Sequence, residues 1–304
     1  MSSSRYRFCK WLVEELKNHS TLTLEEIKNN WKDNRQLSSG EELDTRFFHR
    51  CKNTLKEDFG IIIACKGRGD YPYYIQNPEI LSDSHLAEWM LDSLAIGEKL
   101  RACASLKNRI CLEPIPSGGK VLDIVTDSMI KEKKLGFDYQ RYGTFTPKHC
   151  ELGVCCLRLY HQRWYLLGEF DDHKRYSYAL DRMKDPMVTN EAFEMDLSFD
   201  ADEYFKDYYG IFNSGREVTS IVFRAFGDEP YYLRDLQVHW SQHEIGCGDG
   251  YSDFVIDVRP NNELLAFFLS RKNRLKVLSP LSYVKEIEDA VNGIKNNYES
   301  VITN

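Results

Sequence analysis

The sequence predicts an α+β protein of several domains, and three observations carry that expectation. Apolar residues recur at helical spacing through the first third and end in a short alternating hairpin pattern. Period-two runs dominate the middle, and the last third alternates strand with helix. With 304 residues, 42% of them hydrophobic and 29% charged, the chain is long and apolar enough for two or three packed cores.

Each N-terminal element has its own signal. In "RYRFCKWLVEELKNH", residues 5–19, Phe8, Trp11, Leu12 and Leu16 form one apolar stripe and predict a first helix. "TLTLEEIKNNWKDN" places Glu26 three residues after Thr23, a capping-box signature ahead of Ile27 and Trp31, and predicts a short second helix. "RQLSSGEEL" reads as a loop. In "DTRFFHRCKNTLKEDFG" the residues Phe47, Phe48, Cys51, Leu55 and Phe59 share a stripe, with Asp44 or Thr45 as cap and Gly60 as terminator. "IIIACKGRGDYPYYI" alternates and turns at residues 66–69, a hairpin with a cationic tip. Three helices followed by such a hairpin predict a winged helix-turn-helix over residues 1–78.

Charge distribution supports a role for that part. Residues 1–78 hold 13 cationic and 11 acidic side chains, whereas the remainder holds 27 and 36, within a net charge of -7. DNA repels a uniformly acidic chain, so the N-terminal part is the candidate for contact with double-stranded DNA. The third helix presents Arg46, His49, Arg50, Lys52 and Asn53 opposite its apolar stripe, and the hairpin tip adds Lys66 and Arg68. These side chains reach phosphates and base edges; the alternative is an ordinary solvated helix face.

Residues 79–114 read as a helical linker, capped at Ser82 or Asp83, with Leu86, Trp89, Met90 and Leu94 on one stripe. It either joins domains, pairs with its copy in a homodimer, or packs as plain core. The nine cysteines are scattered without a C-x-x-C and read as reduced thiols; Cys155 and Cys156 should point to opposite faces of a strand. His239, His243 and Cys247 match no standard zinc-finger spacing, so no metal and no cofactor is expected. The first twenty residues carry charges where a signal peptide needs an apolar core, and no run reaches the ~20 apolar residues of a membrane span. A cytoplasmic location is therefore expected, with no membrane partner.

From Ile115 the pattern becomes one helix, at about residues 120–132, followed by five short strands: "KLGFDYQ", "GTFTPKHCEL", "VCCLRLYHQ", "RWYLLGEF" and "KRYSYALD". A helix and five strands predict a small barrel of the SH3 or Sm type over residues 115–190. Alternation puts Trp164 and Leu166 together on the core face.

These residues also carry a resemblance. The chain resembles the WYL-domain transcriptional regulators, whose naming motif stands as Trp164-Tyr165-Leu166. Their second signature stands as Leu180-Asp181-Arg182-Met183, with Tyr178 two positions before the leucine. "FDYQ" and "TPKH" sit where that family has an inner-strand tyrosine and a strand proline. The resemblance implies a winged helix, a sensing barrel and a C-terminal extension. One departure stands out: Tyr176 occupies the place of a family arginine, and Arg175 lies one position earlier, on the opposite face of a regular strand unless a bulge intervenes.

Arginines beside aromatic rings suit phosphate and base together, so a nucleotide or single-stranded nucleic acid is the expected effector. The candidates are Tyr139, Arg141, His149, Tyr178 and Arg182. On a regular strand Tyr178 and Arg182 would share a face; the alternative for Arg182 is an ion pair with Asp181 or another carboxylate.

Residues 191–214 read as a second linker. Residues 215–304 predict strand, helix, strand, strand, helix, strand, helix, an α+β sandwich. No G-x-S-x-G, P-loop or H-E-x-x-H appears, and Asp171-Asp172 reads as a hairpin tip, so an enzyme is not expected. The sequence thus predicts a homodimeric, ligand-responsive, DNA-binding transcription regulator. The alternative is a nucleic-acid-binding accessory protein of a defence or DNA-damage system that regulates no promoter.

Overall fold

The computed structural model describes residues 5–67, 71–82, 86–102, 109–110 and 119–302. Two compact units divide the chain, one ending at Glu113 and the other starting at Pro114.

The first unit opens with α1 (Arg5–His19), which buries Phe8, Trp11, Leu12 and Leu16 as the apolar stripe dictates. In α2 (Leu24–Asp33) the Thr23 hydroxyl accepts from the Glu26 N–H while the Glu26 carboxylate accepts from the Thr23 N–H, so two otherwise orphaned donors are satisfied reciprocally. Part of the expected loop is a single helical turn, α3 (Arg35–Ser38), capped by Asn34. Next comes α4 (Thr45–Phe59): Asp44 accepts from the Arg46 and Phe47 N–H groups at its start, and Gly60, at φ 69°, ends it in the left-handed conformation. A hairpin follows, β1 (Ile63–Cys65) paired antiparallel with β2 (Tyr73–Ile75), and Leu22 bridges to Tyr73 as a third short edge.

The expected linker helix is built into this unit. After α5 (Glu79–Ser82), α6 (Leu86–Ala102) buries Ala87 and Leu91 in the same core as α1 and α4, and Ala95 is buried on the same helix. That corrects the expected stripe: Leu86, Trp89 and Leu94 are exposed, because the small alanines allow α6 to approach α1 closely on the other side. Asp83, one of the two expected caps, lies outside the described residues.

The second unit begins with α7 (Gly119–Ile130) and a five-stranded antiparallel sheet of β3 (Lys133–Tyr139), β4 (Lys148–Tyr160), β5 (Arg163–Glu169), β6 (Arg175–Ala179) and β7 (Met183–Ala192), ordered β6-β5-β4-β3-β7. Three corrections follow. The second and third expected strands are one 13-residue strand, β4. A strand that was not foreseen, β7, supplies the fifth. The expected closed barrel is not formed: a 3-10 turn at Leu180–Arg182 separates β6 from β7, each remains an edge, and no ladder joins them among the described residues. A bulge between Val154 and Cys156 also turns both neighbouring cysteines, Cys155 and Cys156, into one small apolar cluster with Leu167 and Phe205.

The stretch read as a second linker is folded. Phe193 and Phe199 lean on the cysteine cluster, and α8 (Ala201–Phe205) buries Phe205 there. The C-terminal part follows the expected order, with β8 (Thr219–Phe226), α9 (Glu229–Asp235), β9 (His243–Gly248), β10 (Tyr251–Val258), α10 (Asn262–Ser270), β11 (Leu275–Ser279) and α11 (Leu281–Ile302). Its sheet runs β11-β8-β10-β9, antiparallel throughout, and Phe223, Phe254, Leu264 and Phe268 form its core.

Candidate functional site

Alternation along β5 builds the site. Leu166 is fully buried and Trp164 packs on the same core with Phe137 and Val154, so Tyr165 between them must face the other way. Across the ladder Tyr165 pairs with Arg158 and Arg163 with Tyr160, which puts a row of cations and aromatics on this outward face. Opposite stands the segment after α8. It is fixed by α10: the Glu263 carboxylate accepts from the Ile211 and Phe212 N–H groups at 2.9 and 3.2 Å, and the Asn261 amide donates to the Tyr209 carbonyl at 2.7 Å. From β6, the Ser177 hydroxyl donates to the Ile211 carbonyl at 3.0 Å.

Between the two walls lies a cleft of about 880 Å³. Five cations line it, Arg141, Arg163, Lys174, Arg175 and Arg182, together with seven tyrosines and no carboxylate. Three of the cations are neutralised from outside the lining. Arg163 holds Asp181 with two parallel bonds of 2.7 Å, Arg175 holds Glu169 at 2.6 Å, and Lys174 holds Asp172 at 2.7 Å. Arg141 and Arg182 have no carboxylate partner among the described residues. In a chain of net charge -7 this cleft is therefore a local positive well.

Arg182 is held without being neutralised. Its guanidinium donates to the Gln140 carbonyl and stacks on two rings, 4.8 Å from the centroid of Tyr139 and 3.7 Å from that of Tyr142. Tyr139 is locked in turn: its hydroxyl accepts from the Ala179 N–H at 3.3 Å, and its ring stands edge-on to Tyr178 at 4.9 Å. Burial pushes the phenols of Tyr139 and Tyr178 up, so both stay neutral and add no negative charge to the cleft. At the opposite end Tyr204 and Tyr208 lie nearly parallel, 5.7 Å apart. The guanidinium of Arg175 sits 5.0 Å from Phe199 and 5.8 Å from Tyr204. A smaller cavity of about 340 Å³ lies behind Arg175, lined in part by Cys155, Glu169 and His173. Burial pushes the Cys155 thiol up to about 11, the reverse of an activated nucleophile.

Residues 120–188, which supply most of the cationic wall, match the family model of the WYL domain. The chain contains a WYL domain. No curated protein shows significant similarity to the chain. Solved structures similar to it include proteasome accessory factor B/C (PafBC) of Arthrobacter aurescens, at 19% identity and a TM-score of 0.35 over 94% of this chain. The match spans 46% of that protein's length. A CRISPR Cas-related protein aligns at 12% identity and a TM-score of 0.36, over 98% of this chain and 84% of the other.

Within the WYL domain the structure brings Tyr139, Arg141, Tyr178 and Arg182 to the cleft and leaves His149 out of its lining. His149 is exposed and meets Asp138 at 2.8 Å, because on β4 it pairs across from that residue. Tyr178 is only 4% exposed and acts as part of the wall against Phe137, with little ring face free for stacking. Tyr178 and Arg182 do not share a strand face as expected, since Arg182 lies on the 3-10 turn that follows β6. Asp181 pairs with Arg163, which removes it as a partner for Arg182. Arg175, one position from the family's arginine, still lines the cleft, reaching it from the side of Phe199 and Tyr204. Sequence reasoning missed Arg163, Tyr142, Tyr165, Tyr176, Tyr204 and Tyr208. The parity of Tyr165 against Trp164 was the one signal that could have found a member of that set.

In the first unit Arg46, His49, Arg50 and Asn53 are exposed along one side of α4, and Lys52 is half-buried with its ammonium 5.7 Å from the ring of Tyr73. Arg46, Arg50 and Lys52 meet no carboxylate among the described residues. Lys66 is exposed beside Tyr74 at 5.5 Å, while Arg68 lies outside the described residues.

Proposed function

We propose that this protein is a DNA-binding regulator whose WYL domain senses a nucleotide or a short single-stranded nucleic acid. One observation carries the reading: a cleft lined by five cations and seven tyrosines without a carboxylate, in a chain of net charge -7. Phosphates meet Arg141 and Arg182, whose charges are not otherwise answered, while bases find ring faces at Tyr142, Tyr165, Tyr204 and Tyr208. The cationic face of α4 and the hairpin form a winged helix that meets double-stranded DNA, with phosphate contacts from Arg46 and Arg50. Binding, rather than turnover, is the reading of the cleft, because burial pushes the Tyr139 and Tyr178 phenols up and each carboxylate beside its cations is tied up in an ion pair.

The regulator and the accessory-protein readings differ in where DNA is bound. Genome-wide footprinting of the bound protein tests the proposal. Discrete sites upstream of a few genes, with occupancy that changes when the cleft is loaded, support it. Occupancy spread evenly, without preferred sites, supports the accessory reading instead.

A further inference from the structure

The closing helix α11 begins as part of the C-terminal core and then outruns it. Tyr283 is buried, and Val284 and Ile287 pack against the same core. From Val291 to position 299 every residue is exposed. The apolar spacing nevertheless continues without a break: Val284, Ile287, Val291, Ile294 and Tyr298 follow one another at intervals of three and four residues. That is the seam of a two-helix coiled coil, and its outer members are open to water, Val291 at 48%, Ile294 at 47% and Tyr298 at 71%. The rest of this stretch is polar, with Asn292, Lys295, Asn296 and Glu299 off the seam.

The charges beside the seam say which partner fits. Glu288 and Lys295 flank it on the same side, seven residues apart and opposite in sign. When two copies of α11 pack antiparallel about a two-fold axis, Val291 of one copy faces Ile294 of the other, beyond the end of each C-terminal core. Glu288 of each copy then falls beside Lys295 of the other, so the surface is complementary to itself. In a parallel pair the position that would answer Lys295 is Ala290, which carries no charge. We infer that α11 is a dimerisation helix that docks, antiparallel, on α11 of a second copy of this chain, through Val291 and Ile294 flanked by reciprocal Glu288 and Lys295 pairs.

This inference does not rest on DNA binding or on the cleft, and its test reads neither. Sedimentation of the full chain over a range of about 1 to 50 µM should show a dimer. Ile294→Asp puts a charge into the seam and should give a monomer with an unchanged near-UV spectrum, since Ile294 is not part of the folded core. Glu288→Lys and Lys295→Glu should each weaken association about tenfold, because each creates two like-charge contacts per dimer. Mixing the two single variants should restore it as a heterodimer, and Glu288→Lys with Lys295→Glu in one chain should restore the homodimer. Wild-type protein that stays monomeric, as it would if another part of the same chain covered the seam, overturns the inference. So does an Ile294→Asp protein that still dimerises, or single charge variants that fail to rescue each other.

Discussion

The guanidinium of Arg182 lies 3.7 Å from the ring centroid of Tyr142, a tyrosine that is 81% exposed, and no carboxylate reaches that arginine among the described residues. An arginine held in place by a ring and a backbone carbonyl, yet not neutralised, is available to an anion. Arg182→Ala should therefore cost little stability, about 0.5–1.5 kcal/mol for one exposed stacking contact and one hydrogen bond. Thermal melting should fall by no more than a few degrees while effector binding is lost. A melt far below that of the wild type would make Arg182 a structural residue.

Arg163 should behave differently. Its two bonds to Asp181 tie the end of β6 to β5, and both side chains are about three-quarters buried. Arg163→Ala strands a mostly buried carboxylate and should cost about 1–3 kcal/mol. Pairing it with Asp181→Ala should recover part of that loss, which a double-mutant cycle in urea would measure.

The far wall of the cleft depends on Glu263, which is not itself among the lining residues. Glu263→Ala frees the Ile211 and Phe212 N–H groups and should weaken effector binding while leaving DNA binding by the N-terminal unit unaltered. Gly210→Ala should do the same for another reason: at φ 80° its new Cβ would stand 2.1 Å from the Glu263 carboxylate. Equal affinity in both variants would show that this wall is not part of the binding surface.

Acid should loosen the Glu169 junction. Burial would push this carboxyl up, but hydrogen bonds from His173 and Arg175 outweigh it and hold the group below its ordinary value near 4.5. A carboxyl depressed in the folded state stabilises the fold above its unfolded pKa, and that contribution is lost as pH falls through the lower folded value. Melting temperatures between pH 3 and 7 should show a steeper acid decline for the wild type than for Glu169→Gln. Parallel curves would count against this pair.

On the DNA side, Arg46→Ala and Arg50→Ala should each lower the salt slope of DNA binding by about one, without moving the melt, since both side chains are exposed. Two variants with unchanged affinity and slope would reject α4 as the DNA-contacting helix.

Helices were legible where caps and stripes agreed, as with Thr23 and Glu26, or Asp44 and Gly60. The sheet was less so, for identifiable reasons. The two expected strands stop on either side of Gly153, yet it lies within β4, where the ring of Phe193 takes the space a Cβ would need, 2.0 Å away. Pro186 and its charged neighbours concealed β7, which tolerates a proline because it is an edge strand paired only with β3. Half of the cleft was invisible for a different reason. Tyr204 and Tyr208 come to line one cleft with Arg175 and Arg163 only through long-range packing, and no local period encodes that placement.

Binding of a polyanion in the WYL cleft is expected to run through Arg141 and Arg182. The most direct measurement is a titration of the full chain with a short single-stranded oligonucleotide at several salt concentrations, for the wild type and for the Arg141→Ala, Arg182→Ala double variant. Two phosphate contacts predict that the logarithm of the affinity falls with the logarithm of salt at a slope of about -1.4 or steeper in the wild type, and that the double variant loses about that much slope with its affinity. Wild-type binding that ignores salt, or a double variant that binds as tightly and with the same slope, would contradict the account.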